Sequence, residues 1–413
     1  MRSITSRQAA TVLLLAAGAG LLAGFWDEID PWLRAILVVV TVVVALVALR
    51  PRAAAPDQAP SRVLDLIEKI VAEETHRPWE PSTAPWLPTG ASPKPVLLLP
   101  AADYHLAEVV PLSRELAKRD IRSRVAIGPS PWERTRPALS AYSDLEIFEL
   151  PDADVFSEDV SSVFVMKDTG SLGPLVQRCR ELGIPTMGKV EGAQDFWDAD
   201  TPEPRLPYRN LDLVLCQGRF DADALSDRET TIVGSTRLER LWWAPPVTAP
   251  EPLAVINLNF VYGVRTADRK LWLDTAIEGC QMAGVPYLIS LHPAEKARID
   301  SPFATTISAS RLLTRATVLI SRFSTMPFEA MARGVPFVYH NPHRETVKTF
   351  ADPMGAFDTV ASAGDLARTL RELEPGSDHR LRSQSLFAHH VDVDRARGSE
   401  ERGAEAIAGR LGR

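Results

Sequence analysis

No basic block interrupts this sequence: 46 lysines and arginines are outnumbered by 53 acidic residues, for a net charge of -7. Without clustered cations to neutralise phosphates, a nucleic-acid-binding protein is excluded. Cysteine is nearly absent. Cys179, Cys216 and Cys280 are odd in number and scattered, which fits reduced thiols in the core and neither a disulfide framework nor a zinc site. A small-residue cleavage site is also missing between the first apolar runs, so the N-terminus does not read as a secretory signal.

What the N-terminus has instead is two uncharged apolar stretches, "AATVLLLAAGAGLLAGF" (9–25) and "AILVVVTVVVALVAL" (35–49), joined by "WDEIDPWLR" (26–34). With their flanks each approaches the roughly 20 residues that span a bilayer. Arg2 and Arg7 precede the first and Arg50 and Arg52 follow the second, whereas the connection carries Asp27, Glu28, Asp30 and two tryptophans. Charge asymmetry and aromatic belt both predict a transmembrane hairpin over 1–52 with its two ends in the cytoplasm. The expected location is therefore the plasma membrane, with the remaining domains cytoplasmic. Residues 53–93 form a proline- and alanine-rich linker interrupted by "SRVLDLIEKIVAEE" (61–74), an amphipathic helix suited to lying on a membrane, pairing with a second copy or covering a domain.

At 413 residues the chain has room for two cores of ordinary size. From residue 94 strands and helices alternate: "PVLLLP" (95–100), a helix over 105–120, then strands at 123–128, 161–168, 184–190 and 211–218 with a helix over 170–183. Such alternation predicts a parallel sheet with helices on both faces. Four prolines in "RLWWAPPVTAPEP" mark a boundary near residue 245, after which strands at 253–260, 286–293, 317–323 and 336–340 repeat the pattern around a helix over 271–284. The predicted class is α/β with two Rossmann-like domains facing a cleft, 94–245 and 246–376, followed by a helical tail over 377–413. Ligands bind such sheets at the carboxyl ends of their strands.

"SRFSTMPFEAMARGVPFVYHNP" (321–342) lies at one such end. Arg322, Ser324 and Thr325 form a polar loop, Pro327 suits a first helical turn, and Gly334 ends the helix. Its free N–H groups would face the cleft and suit a diphosphate, with Glu329 one turn in and able to accept from a ribose. The same residues also fit a plain cap and dipole complement.

Other segments carry a resemblance. "TIVGSTRLERL" (231–241) resembles the hinge segment, and "LISLHPAEK" (288–296) the strand ending in His-Pro, of the two-domain enzymes that include CDP-glycerol glycerophosphotransferases and capsule-type glycosyltransferases; "ISRFSTMPFEAMARGVPFVYHNP" (320–342) is similar to their donor-binding signature. "FVMKDTGSLGPLVQRCRELGIPTMGKVEGAQDF" (164–196) resembles the related UDP-N-acetylglucosamine 2-epimerases. The resemblance covers about residues 95–345 and implies the GT-B fold. It implies donor contacts from His292, Ser324, Thr325, Glu329 and Arg322, a hinge loop at Gly234 and Ser235 near the same group with Arg237 adding charge, and Glu191 and Asp168 on the opposite wall. Because a helix N-terminus with His or Arg can stabilise a departing diphosphate without a metal, no metal and no cofactor are expected. An acceptor hydroxyl needs a base on the other face, and Glu191 and His105 are the candidates.

Where the glycerophosphotransferases carry a His-Gly-Thr-Pro turn, this chain has Val190, Glu191, Gly192 and Ala193; where epimerases show Ser-Gly-Gly, it has Ser321, Arg322 and Phe323. The first reading is a membrane-held transferase moving a sugar or polyol phosphate from a nucleotide-diphosphate donor to a cell-envelope polysaccharide or lipid-linked acceptor. An epimerase-like enzyme is the second, and a scaffold that kept the fold without the chemistry the third. The "DAD" triplets at 152–154, 198–200 and 221–223 and "HHVDVD" (389–394) have ligand-type residues without a ligand-type arrangement.

Overall fold

The structure is a computed structural model that describes residues 93–127, 142, 144–149, 159–193, 196, 207–249, 251–261, 264–292, 295, 299, 301–373 and 379–412. The expected hairpin, the amphipathic helix at 61–74 and the first two "DAD" triplets lie outside them. Among the described residues no helix is long and apolar enough to cross a membrane.

The first sheet has seven parallel strands in the order β3-β2-β1-β4-β5-β6-β7. They are β1 (Val96–Leu99), β2 (Ser123–Ile127), β3 (Ile147–Glu149), β4 (Ser162–Val165), β5 (Thr186–Lys189), β6 (Leu213–Cys216) and β7 (Thr230–Ile232). The central strands β1, β4 and β6 are buried along their whole length because both faces of the sheet are covered there. Leu98 packs on one face against helix α1 (Leu106–Ala117), while Leu97 and Leu99 meet α2 (Gly173–Glu181) on the other. Cys179 and Cys216 belong to that second face and are free thiols. α3 (Arg219–Ala224) follows β6.

The second sheet has six parallel strands in the order β10-β9-β8-β11-β12-β13, namely β8 (Ala254–Leu258), β9 (Tyr287–Leu291), β10 (Ala304–Thr305), β11 (Val318–Ser321), β12 (Phe337–His340) and β13 (Phe357–Val360). Ile256 and Ile320 sit in register across β8 and β11 and face α5 (Arg269–Ala283) and α8 (Ala363–Glu372), where Cys280 is buried. The opposite face is covered by α6 (Ala309–Leu312), α7 (Met326–Arg333) and α9 (His379–His390). In each sheet the chain reverses direction beside the first strand, between β1 and β4 and between β8 and β11, which is where a doubly wound sheet opens a crevice.

Two segments join the halves. Helix α4 (Thr236–Trp243) leaves β7 and buries Leu238 and Trp242 in the second core, with the Trp242 ring stacked on Phe387 at 4.3 Å. After α9 the chain returns, and α10 (Ser399–Arg410) buries Ala404 and Ile407 in the first core. The expected helical tail is thus part of the first domain's packing.

Sequence reasoning missed the short edge strands β3, β7, β10 and β13, which are two to four residues long. Edge strands have neighbours on one side only, so they need no continuous apolar signal.

Candidate active site

His105 closes a short 3-10 turn after β1 and is 2% exposed. Its Nδ1 accepts the backbone N–H groups of Ala101 at 3.0 Å and Ala102 at 3.1 Å. With that nitrogen accepting, the proton of the neutral ring sits on Nε2, and Nε2 pairs with the carboxylate of Glu191. Glu191 follows β5, and its own N–H donates to the hydroxyl of Tyr208 at 3.1 Å, which in turn donates to the carbonyl of Met166 at 3.2 Å. Burial works to raise the Glu191 carboxyl, but His105, Lys167 and a hydrogen bond from Tyr104 outweigh it and hold it below the usual carboxylate range. The pair therefore presents an ionised carboxylate backed by an oriented imidazole.

Tyr104 and Lys167 were invisible to motif reading. Tyr104 is 53% exposed and stands edge-on to His105, with centroids 4.4 Å apart. Lys167 is exposed at the end of β4, beside the crevice. Their only signal was adjacency to His105 and Asp168.

Asp168 has a different task from the one expected. It is 1% exposed, and its oxygens accept the N–H groups of Tyr208 at 2.6 Å and Asn210 at 3.1 Å. Tyr208 has φ +64°, a region that disfavours side chains, so the carboxylate holds a strained turn that in turn props Glu191.

Across the cleft, α7 starts at Met326 with Pro327 in its first turn and ends at Gly334, whose φ of +73° allows the closing bond from Val335 N–H to the Ala330 carbonyl at 2.8 Å. Ser324 Oγ accepts from Met326 N–H at 3.2 Å, and Asn257 donates to the hydroxyls of Ser321 at 3.0 Å and Ser324 at 3.5 Å. Thr325 does not cap. Its Oγ1 accepts the N–H of Ala193 at 3.1 Å, so the turn after β5 touches the loop after β11. The two crevices thereby face one another at that contact.

Glu329 is fully buried, paired with Arg237 and accepting from Ser310. Gly234 and Ser235 do not reach this group. Ser235 caps α4 and donates to Glu108 at 2.6 Å, while Thr236 and Arg237 N–H groups also donate to Glu108, each at 3.0 Å. The carboxylate of Glu108 thus occupies the N-terminus of α4 where a ligand phosphate was expected, and Lys189 Nζ meets it at 2.6 Å. Gly234 has φ +79°, and a Cβ there would lie 2.3 Å from the Asp392 carbonyl.

Arg322 turns inward, as described below. His292 follows β9, half-buried; burial lowers its pKa, and Glu295 pulls the other way. Among the described residues no group of His, Cys, Asp and Glu could hold a metal ion. The third "DAD" lies on α3, where Asp221 accepts the N–H of Gln217 at 2.9 Å, and His390 packs against Phe220 and Phe328.

No protein-family model and no curated protein matches this sequence. Solved structures do. A UDP-GlcNAc 2-epimerase from Methanocaldococcus jannaschii, determined with UDP-GlcNAc and UDP, superposes with a TM-score of 0.54 at 12% identity over 76% of this chain and 99% of its own. A second UDP-N-acetylglucosamine 2-epimerase gives 0.53 at 14% identity, covering 78% and 96%. The wall teichoic acid polymerase TagF gives 0.52 at 12% identity, covering 78% and 88%. Together with the two strand orders these define the class of fold: the chain is a two-domain GT-B protein.

Proposed function

We propose that this protein is a transferase that moves a sugar or polyol phosphate from a nucleotide-diphosphate donor to a hydroxyl of a cell-envelope polysaccharide or lipid-linked acceptor. The single observation that carries this is the His105–Glu191 pair, set at the crevice of the first sheet and brought opposite the α7 loop through the Ala193–Thr325 contact. The structures it resembles include proteins that bind UDP-GlcNAc and a wall polymer synthase.

In this reading the acceptor hydroxyl donates to Glu191, which takes its proton as the acceptor oxygen bonds to the transferred group. His105 holds the carboxylate in place. The bond to the nucleotide diphosphate breaks, and its electrons go to the leaving phosphate, whose charge is met by the N-terminus of α7 with Ser324. His292 stands at the end of β9, two strands from β11. The apolar runs at 9–25 and 35–49 would hold the enzyme at the plasma membrane, where such acceptors are, with its catalytic domains cytoplasmic.

An epimerase reading is less favoured because Asp168 is committed to the backbone of Tyr208 and Asn210. A scaffold reading draws on the pairing of Glu329 with Arg237.

The test is thermal unfolding of the full-length chain with CDP, UDP, GDP and their glycerol or sugar conjugates, since a ligand of the native state raises the melting temperature. A shift with one nucleotide family is expected, and Glu191→Gln should keep it while transfer falls roughly a hundredfold or more. No shift with any nucleotide would leave the scaffold.

A further inference from the structure

The loop that opens α7 is clamped from beneath. Arg322 is 3% exposed, with its guanidinium taken up by protein groups. Its Nε donates to Glu345 Oε2 at 2.9 Å, Nη2 bonds the same oxygen, and Nη1 donates to the Asn259 carbonyl at 2.9 Å. Glu345 Oε1 accepts from Phe323 N–H at 3.2 Å and from the Tyr339 hydroxyl at 2.6 Å. His343 Nε2 lies 3.1 Å from Oε2. Asn259 Nδ2 donates to the Phe323 carbonyl at 3.1 Å, so both backbone polar groups of Phe323 are held.

The side chains doing this come from the ends of three strands: Asn259 after β8, Arg322 after β11, Glu345 after β12. Glu345 itself is delivered by a tight turn. Asn341 brackets it, accepting its N–H at 2.7 Å and donating to its carbonyl at 2.9 Å, and Arg344 adopts φ +56°, a left-handed conformation that disfavours L side chains. A buried ion pair is weak support for stability, since apolar residues of similar volume often do as well. Backbone strain and a buried charge cluster are concentrated together under one loop, which is the pattern of a preorganised site.

We propose that Glu345 is a positioning residue: through Arg322 and the N–H of Phe323 it fixes the 322–325 loop, so that Ser324 and the N-terminus of α7 are already arranged to receive a nucleotide diphosphate. This rests on the donor reading above. Glu345 touches no reacting atom. Its effect falls on donor affinity, because ordering the loop before binding removes that part of the entropy loss from the binding step. The arginine that a glycine-built loop would find crowding is accommodated by being folded underneath.

The experiment is calorimetric titration of the full-length chain with UDP and with CDP. Glu345→Gln alone strands the Arg322 charge and could unfold the domain, so it is paired with Arg322→Met. A stability-matched control, Leu370→Ala in the α8 core, lowers the melting temperature without touching the loop. The double variant should bind nucleotide at least about tenfold more weakly than wild type, the control like wild type. In turnover the double variant should raise KM for the donor at least about tenfold and lower kcat as well, because the same loop meets the charge of the leaving diphosphate. Wild-type affinity in the folded double variant, or equal losses in the control, would overturn the positioning role alone. Failure of the wild type to bind either nucleotide would overturn the donor reading, and this role with it.

Discussion

The guanidinium of Arg237, on the helix leaving the first sheet, pairs with the fully buried carboxylate of Glu329, on the first helical turn after β11. One ion pair thus ties the segment that joins the halves to the helix expected to hold the donor. For Glu329 to take ribose hydroxyls, Arg237 has to share it or move to the phosphates.

Arg237→Gln should therefore destabilise the chain by about 3 kcal/mol, because it removes the ion-pair partner of a buried carboxylate and leaves it the Ser310 hydroxyl and the nearby Arg333 charge. Arg237→Met combined with Glu329→Gln should recover most of that. Urea unfolding of the two variants checks it; equal losses would mean that the pair is not coupled.

Acid stability should depend on Glu108. Burial acts to raise its carboxyl, but Lys189, Ser235 and the Arg237 N–H outweigh this and bring it from 4.5 to about 2. The native state therefore binds fewer protons than the unfolded chain between those values. The stabilisation is complete above the unfolded value and is lost as pH falls toward the folded one. Between about pH 6 and about pH 3 this amounts to about 2 kcal/mol. The double variant Glu108→Gln with Lys189→Met should show a stability curve flatter by that amount; an unchanged slope in urea melts across the range would refute the assignment.

Gly192 is where the two loops meet. A Cβ there would lie 2.2 Å from Thr325 Oγ1 and 3.0 Å from its Cγ2. Gly192→Ala should lower stability by about 1–3 kcal/mol through this clash, and Thr325→Gly in the same chain should restore most of it. Denaturant titration of the single and double variants decides; additive losses would place the strain elsewhere.

Much of the frame was legible beforehand. "PVLLLP" and "TVLIS" read as buried strands because both faces of a parallel sheet exclude water, and Pro327 and Gly334 bounded α7 by backbone geometry alone. The roles of polar residues were harder. Asp168 and Glu191 sit in similar turns after strands, yet one clasps the backbone of Tyr208 and the other joins His105. Glu345 carried no motif at all; it matters because Tyr339, Phe323 and Arg322 converge on it in space.

By itself the sequence determined what depends on near neighbours: the alternation of strand and helix, the two-domain division of its apolar runs, and the ends of the helices. These follow from local dihedral preference and from periodic burial. Tertiary structure alone decided which partner each charged group takes, Glu108 against the α4 terminus, Arg322 beneath its loop, Arg237 on Glu329. A charge removed from water must find a partner among whatever the packed chain brings within a few ångströms, and that company is set by elements far apart in sequence.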